Sequence, residues 1–200
     1  MRHWLFHPLV FYPLVLFLGV AVVVVSLAPQ AWPRAAEAQA GTLTPDSIVL
    51  EGAALTAPDP SPDQEMYVVR DIWGNAQSLR LAVLPGMPEP TPAEQGVRIL
   101  LSAETGARLD DRPVAVEVSY RPVPINAANG LAVSLQGIGP ADWVIKPIAP
   151  EAATVRFELP ASFAINAIGL RAMSDGADQA YGVEIIRIRV IPGPPATASN

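Results

Sequence analysis

The chain predicts an all-β antiparallel sandwich preceded by one N-terminal transmembrane helix. Three observations carry that prediction: an uncharged apolar run near the start, many short stretches of period-two hydrophobicity, and turn signals between nearly all of them. Gly and Pro make up 36 of the 200 residues (14 and 22), a loading that suits a loop-rich β protein better than a helical bundle.

From Leu5 to Leu27 there is no Asp, Glu, Lys or Arg. At about 1.5 Å per residue such a helix reaches the roughly 30 Å of a hydrocarbon core. Trp4, Phe6, Phe11 and Tyr12 crowd one end and Trp32 marks the other, as interfacial aromatics do. Pro8 suits a helix start, and Pro13 a kink inside it. The start amine and Arg2 place the head, residues 1–4, in the cytoplasm by the positive-inside rule. A competing reading is a cleaved signal peptide, because Ala38-Gln39-Ala40 before Gly41 has small residues at processing spacing. The length of the apolar run favours the anchor, and either reading exports the remainder. His3 and His7, four apart, read as amphipathic side chains at a membrane boundary rather than as a metal pair.

Residues 28–43 are Ala/Pro-rich and read as a tether, 44–192 as the periplasmic sandwich and 193–200 as a disordered tail. The polar patch 57–65 reads as a loop or a continued tether. Strands are expected over 47–55, 66–73, 78–84, 97–102, 113–121, 131–136, 142–148, 153–159, 166–173 and 181–191. Val114, Val116, Val118 and Tyr120 take one face of the fifth, and Val155, Phe157 and Leu159 one face of the eighth. In the last strand Ile186, Ile188 and Val190 are expected inside and Arg187 and Arg189 outside. Val183 and Ile185 have the opposite phase, so either a bulge falls near Ile185 or the first half of the strand is covered on both faces.

Composition excludes several functions. With no Cys, and His only at positions 3 and 7, the exported part lacks every imidazole and thiol used by nucleophilic triads. A net charge of −6 opposes nucleic-acid binding. Carboxylate pairs for glycoside hydrolysis, Asp110-Asp111 or Glu117 with Glu158, look like a turn and solvated strand faces. The expectation is therefore a non-enzyme.

What remains are ring platforms and planar cations. Trp73 and Trp143 lie beside turns, where an indole stacks on a sugar or plugs the sandwich end. Tyr181, Arg187 and Arg189 complete the candidate ligand set, and twelve of the thirteen basic residues are Arg. Asp175 and Asp178, around Gly176, offer oxygen ligands of the kind calcium takes, though a plain turn explains them as well.

The opening Ser47-Ile48-Val49-Leu50-Glu51, the central VAVEVSYRP of 114–122 and the closing YGVEIIRIRVIP of 181–192 together resemble the strand grammar of galactose-binding-like, carbohydrate-binding-module-type jelly rolls. That resemblance covers most of the exported domain. It implies a sugar- or protein-binding module, often with a structural calcium, and no other cofactor. Two functional expectations follow: a periplasmic module that binds or organises envelope glycan, or an accessory subunit of a larger inner-membrane protein complex.

Overall fold

The computed structural model describes residues 7–27, 41–55, 58–59, 61–86, 91, 95–139, 141–175 and 180–195. The chain divides into two compact units, Met1–Ala35 and Ala36–Asn200.

The first unit holds helix α1, Pro8–Leu27, with Pro13 inside it and no acidic or basic residue at either end. Phe17, Leu16 and Tyr12 are about 70% exposed. Among the described residues no helix is long and apolar enough to cross a membrane. The expected spanning helix over 5–27 is thus unsupported as a span. The backbone helix begins three residues later than expected but runs 20 residues.

The second unit is a two-sheet sandwich. Its strands are β1 Thr42–Leu43, β2 Ile48–Glu51, β3 Pro58–Asp59, β4 Gln64–Arg70, β5 Ala76–Val83, β6 Val97–Leu100, β7 Val114–Pro122, β8 Gly130–Gln136, β9 Val144–Pro147, β10 Ala153–Leu159, β11 Ala167–Met173 and β12 Tyr181–Pro192. One sheet has seven strands, with β12 at its centre. β7 pairs along one side of β12, with β10 beyond it. On the other side, the first half of β12 meets β5 and β4, and its second half meets β2 and β1. The second sheet has the order β3-β6-β11-β8-β9. All pairings between these strands are antiparallel.

The inward residues of both sheets build one core. Val116, Val118, Ile185 and Val190 meet Val97, Ile99, Val133 and Ile168, all fully buried. Phe157, the largest of the fully buried side chains, stabilises the fold by roughly 1.5–3 kcal/mol through its burial.

Some expectations shift. The bulge in β12 falls between Ile185 and Arg187, so Ile186 is the extra residue and is exposed at 38% rather than facing in. The first expected strand ends at Glu51 and continues as a 3-10 turn, Gly52–Leu55, because Gly52 takes φ +54. Thr42 and Leu43 pair with Val49 and Ile48, so the sandwich starts inside the expected tether. The 57–65 patch is likewise part of the fold: Ser61, Asp63 and Gln64 are buried, and β3 pairs with β6. A short helix, α2 Ala103–Leu109, was not expected. Ser102 caps it by accepting from Thr105 N, and Gly106 lets it lie on the Ile165 carbonyl.

Candidate functional site

The two sheets have unlike outer faces. On the seven-stranded sheet, charges alternate and pair. Arg189 reaches Glu117 at 3.5 Å, Arg187 reaches Glu51 at 3.7 Å, and Arg156 bridges Glu117 at 3.5 Å and Glu158 at 2.6 Å. Glu184 is almost fully buried there, held by Arg121 at 2.6 Å, Arg80 at 3.4 Å and the Ser78 hydroxyl at 2.5 Å. Burial alone would raise its pKa. The hydrogen bonds from Arg121 and Ser78 outweigh that and hold it below the usual carboxylate range. Tyr67 extends this row, its ring 5.2 Å from the Arg80 guanidinium.

On the five-stranded sheet the outward residues of β8 and β11 are small or neutral except Arg171. They are Ala132, Ser134 and Gln136 on β8, and Ala167, Gly169 and Arg171 on β11. β8 is buried along its whole length, on both faces. Its outer face is covered in part by Trp143, whose ring leaves no room for a Cβ at Gly169 (2.8 Å) or at Gly96 (2.5 Å). Gly96 sits at φ +73, so glycine is required there twice over. One flank is tied down by polar contacts: Arg171 reaches Asp63 at 2.9 Å and the Gln95 side chain at 3.2 Å, and Gly96 N donates to Asp63 at 3.1 Å. Ser61 also donates to Asp63.

Over Gly169 that tying-down fails. Its missing Cβ would lie 2.4 Å from Ser134 Oγ and 2.5 Å from Gln136 Nε2, so these groups converge on one spot. Ser134 Oγ, Gln136 Nε2 and Trp143 Nε1 are all buried, and none has a hydrogen-bond partner within the protein. Each such group costs about 1–3 kcal/mol if left unmet. Native folds rarely keep them without a reason.

Beside them opens a cavity of about 140 Å³ lined by Arg98, Gln136, Gly137, Gly139, Ala141 and Asn166. Ile138, between two of the lining glycines, is 85% exposed, and Phe163 on the adjoining loop is 63% exposed. The two loops lock together at Gly137, where a Cβ would meet the Phe163 carbonyl at 2.3 Å. Among the described residues no carboxylate, His or Cys lines the cavity. Asp142 lines a separate pocket of about 20 Å³.

The expected site residues do not converge. Trp143 belongs to the cavity side as a half-buried cover. Trp73 stands at the β4–β5 turn, 81% exposed. Arg187 and Arg189 lie on the opposite sheet with carboxylate partners, and Tyr181 opens β12 opposite Val83. Asp175 accepts from Asn129 Nδ2 at 2.7 Å, while Asp178 lies outside the described residues. Among the described residues no group of three or more His, Cys, Asp or Glu could hold a metal ion. Of the proposed carboxylate pairs, Asp110 accepts from Ile165 N at 2.9 Å and so fixes a loop.

Ser134, Gln136 and Asn166 were not anticipated from sequence as site residues. The available signal was the smallness of the outward set, Ala132, Ser134 and Gly169, which marks a strand covered on both faces.

The sandwich is similar to those of solved carbohydrate-binding modules. The xylan-binding CBM22-1 domain of Paenibacillus barcinonensis Xyn10C overlays with a TM-score of 0.44 at 11% identity, covering 70% of this chain and 87% of that one. The tandem CBM22-1–CBM22-2 structure of the same protein gives 0.47 at 14% identity, covering 80% of this chain and 50% of that one. A CBM4 structure gives 0.39 at 12%, covering 66% and 89%. No family model and no curated protein matches the chain. At these identities the likeness is one of strand architecture, and function has to be sought in the site itself.

Proposed function

We propose that this chain is a membrane-anchored, non-catalytic periplasmic module that binds a hydroxyl-rich ligand, a cell-envelope glycan, on the outer face of its five-stranded sheet. The observation that carries this reading is the convergence of Ser134 Oγ, Gln136 Nε2 and Trp143 Nε1, buried without protein partners beside an open cavity. These groups are neutral donors and acceptors, the complement of sugar hydroxyls, and Arg98 and Asn166 add polar reach at the wall. Ile138 and Phe163 supply apolar surface at the neighbouring loops for a sugar's CH faces. Among the described residues the lining holds no carboxylate pair or nucleophile, so the reading is one of binding and not turnover. Stacking and hydrogen bonding of this kind are modest terms, so affinity for a short oligosaccharide is expected between about micromolar and millimolar.

The anchor rests on the sequence alone, on the 5–27 stretch without an acidic residue, Lys or Arg. With Arg2 ahead of it, this topology leaves the sandwich in the periplasm of a bacterial-type inner membrane.

A glycan array probed with the full chain in detergent tests the reading. Binding should appear for at least one envelope-type oligosaccharide and be lost in Gln136→Leu. An array without a hit, or equal binding by Gln136→Leu, overturns it. In that case the accessory-subunit reading comes forward, and a pull-down from solubilised membranes tests that.

A further inference from the structure

We infer that the tip of the β4–β5 hairpin, Ile72 and Trp73, is a foot that seats the sandwich in the lipid interface. This rests on the anchor reading above. Ile72 is 90% exposed and Trp73 81%, the largest exposed apolar pair on adjacent residues of the sandwich among those described. Such a pair at a turn is costly in water and suits the boundary between headgroups and acyl chains, where Trp concentrates.

The backbone beneath the pair is compatible with the lipid interface. A loop entering a bilayer must satisfy its own polar groups, and this turn meets several of them internally. Asp71 N donates to Asn75 O at 2.9 Å and Gly74 N to Asp71 O at 3.0 Å. Trp73 N and Asn75 N both donate to Asp71 Oδ1, at 2.9 and 2.8 Å. The Gly74 carbonyl accepts from Arg70 at 2.8 Å. The Ile72 and Trp73 side chains are the apolar ones presented outward at the tip, with Asn75 exposed beside them. Arg70, beside them, has the long stem and cationic head that reach lipid phosphates. The bilayer is also within reach: residues 28–40 separate α1 from the sandwich and span at most roughly 50 Å when fully extended.

The chain contains no Cys, so single labels carry no background. The full chain is reconstituted in phosphatidylcholine–phosphatidylglycerol vesicles with a fluorophore on Ile72→Cys, Ile138→Cys or Val22→Cys. Each is exposed to a lipid-borne quencher and to aqueous iodide. The label at 72 should lose roughly half its emission to the lipid quencher and resist iodide, while the label at 138 behaves oppositely. A label at 72 that iodide quenches as strongly as the one at 138, and the lipid quencher does not, overturns the foot. The label at 22 separates the two readings: lipid quenching there with none at 72 leaves the anchor standing alone. Lipid quenching at 72 without quenching at 22 overturns the anchor and keeps the foot.

Discussion

The outer faces of the two sheets are built from the same strand geometry and end in opposite states. On the seven-stranded sheet every charge named above has a partner: Arg187 with Glu51, Arg189 with Glu117, and Glu184 between Arg80 and Arg121. On the five-stranded sheet the polar atoms over Gly169 are neutral, buried and unmet. On the charged face the carboxylates are met by arginines, though Arg80 Nε itself is buried without a partner. The neutral atoms over Gly169 stand beside a cavity, and the proposed reading gives them a ligand as their partner.

The comparison presumes a single core under both faces, and the largest expected effect breaks that core. Val116→Asp or Phe157→Asp buries an unpaired charge at a fully buried position and should destabilise by about 3–5 kcal/mol, read by chemical denaturation. Both faces should be lost together in one transition. Separate transitions for the two sheets would contradict the shared core.

Glu184 sharpens the contrast from the charged side. Its folded pKa is lowered from an unfolded value near 4.5. Its stabilising contribution is therefore complete above that value and declines as pH falls through the folded pKa. Glu184→Gln should lower stability at neutral pH and flatten the acid limb of the stability–pH curve. An unchanged acid limb would remove Glu184 from that role.

On the other face the sign should reverse. Ser134→Ala removes an unmet hydroxyl and should leave stability unchanged or raise it by up to about 1 kcal/mol, while weakening ligand binding. A clear destabilisation would mean the hydroxyl is already satisfied. The smallest effect concerns the loop beside the cavity. Ala164 holds φ +51, so Ala164→Gly should stabilise by about 0.5–1 kcal/mol in thermal unfolding.

Sequence periodicity located all ten expected strands, because inward Val, Ile, Leu and Phe alternate with polar residues whenever one face is solvated. It misread the places where that premise fails. Ser134 and Gln136 alternate with Val133 and Leu135 just as solvated residues would, yet tertiary cover buries them, with the Trp143 ring lying close by over Gly169. Ile186 has the right phase and type for the core, yet the β12 bulge turns it outward. The helix α2 has one buried apolar residue, Leu109, and a glycine at its middle, so no helical periodicity announced it. The candidate site was legible only in Trp143. Trp73, Arg187 and Arg189 share its chemistry but not its sheet, and one-dimensional spacing does not say which strands become neighbours.

The most direct test is NMR of the full chain in detergent on titration with an oligosaccharide it binds. The Gln136 side-chain amide and the Trp143 indole N–H should shift as they gain partners, with Arg187 and Arg189 unmoved. Shifts at Trp73 or at the two arginines, with the Gln136 and Trp143 signals unchanged, would contradict the assignment of the site to the five-stranded sheet.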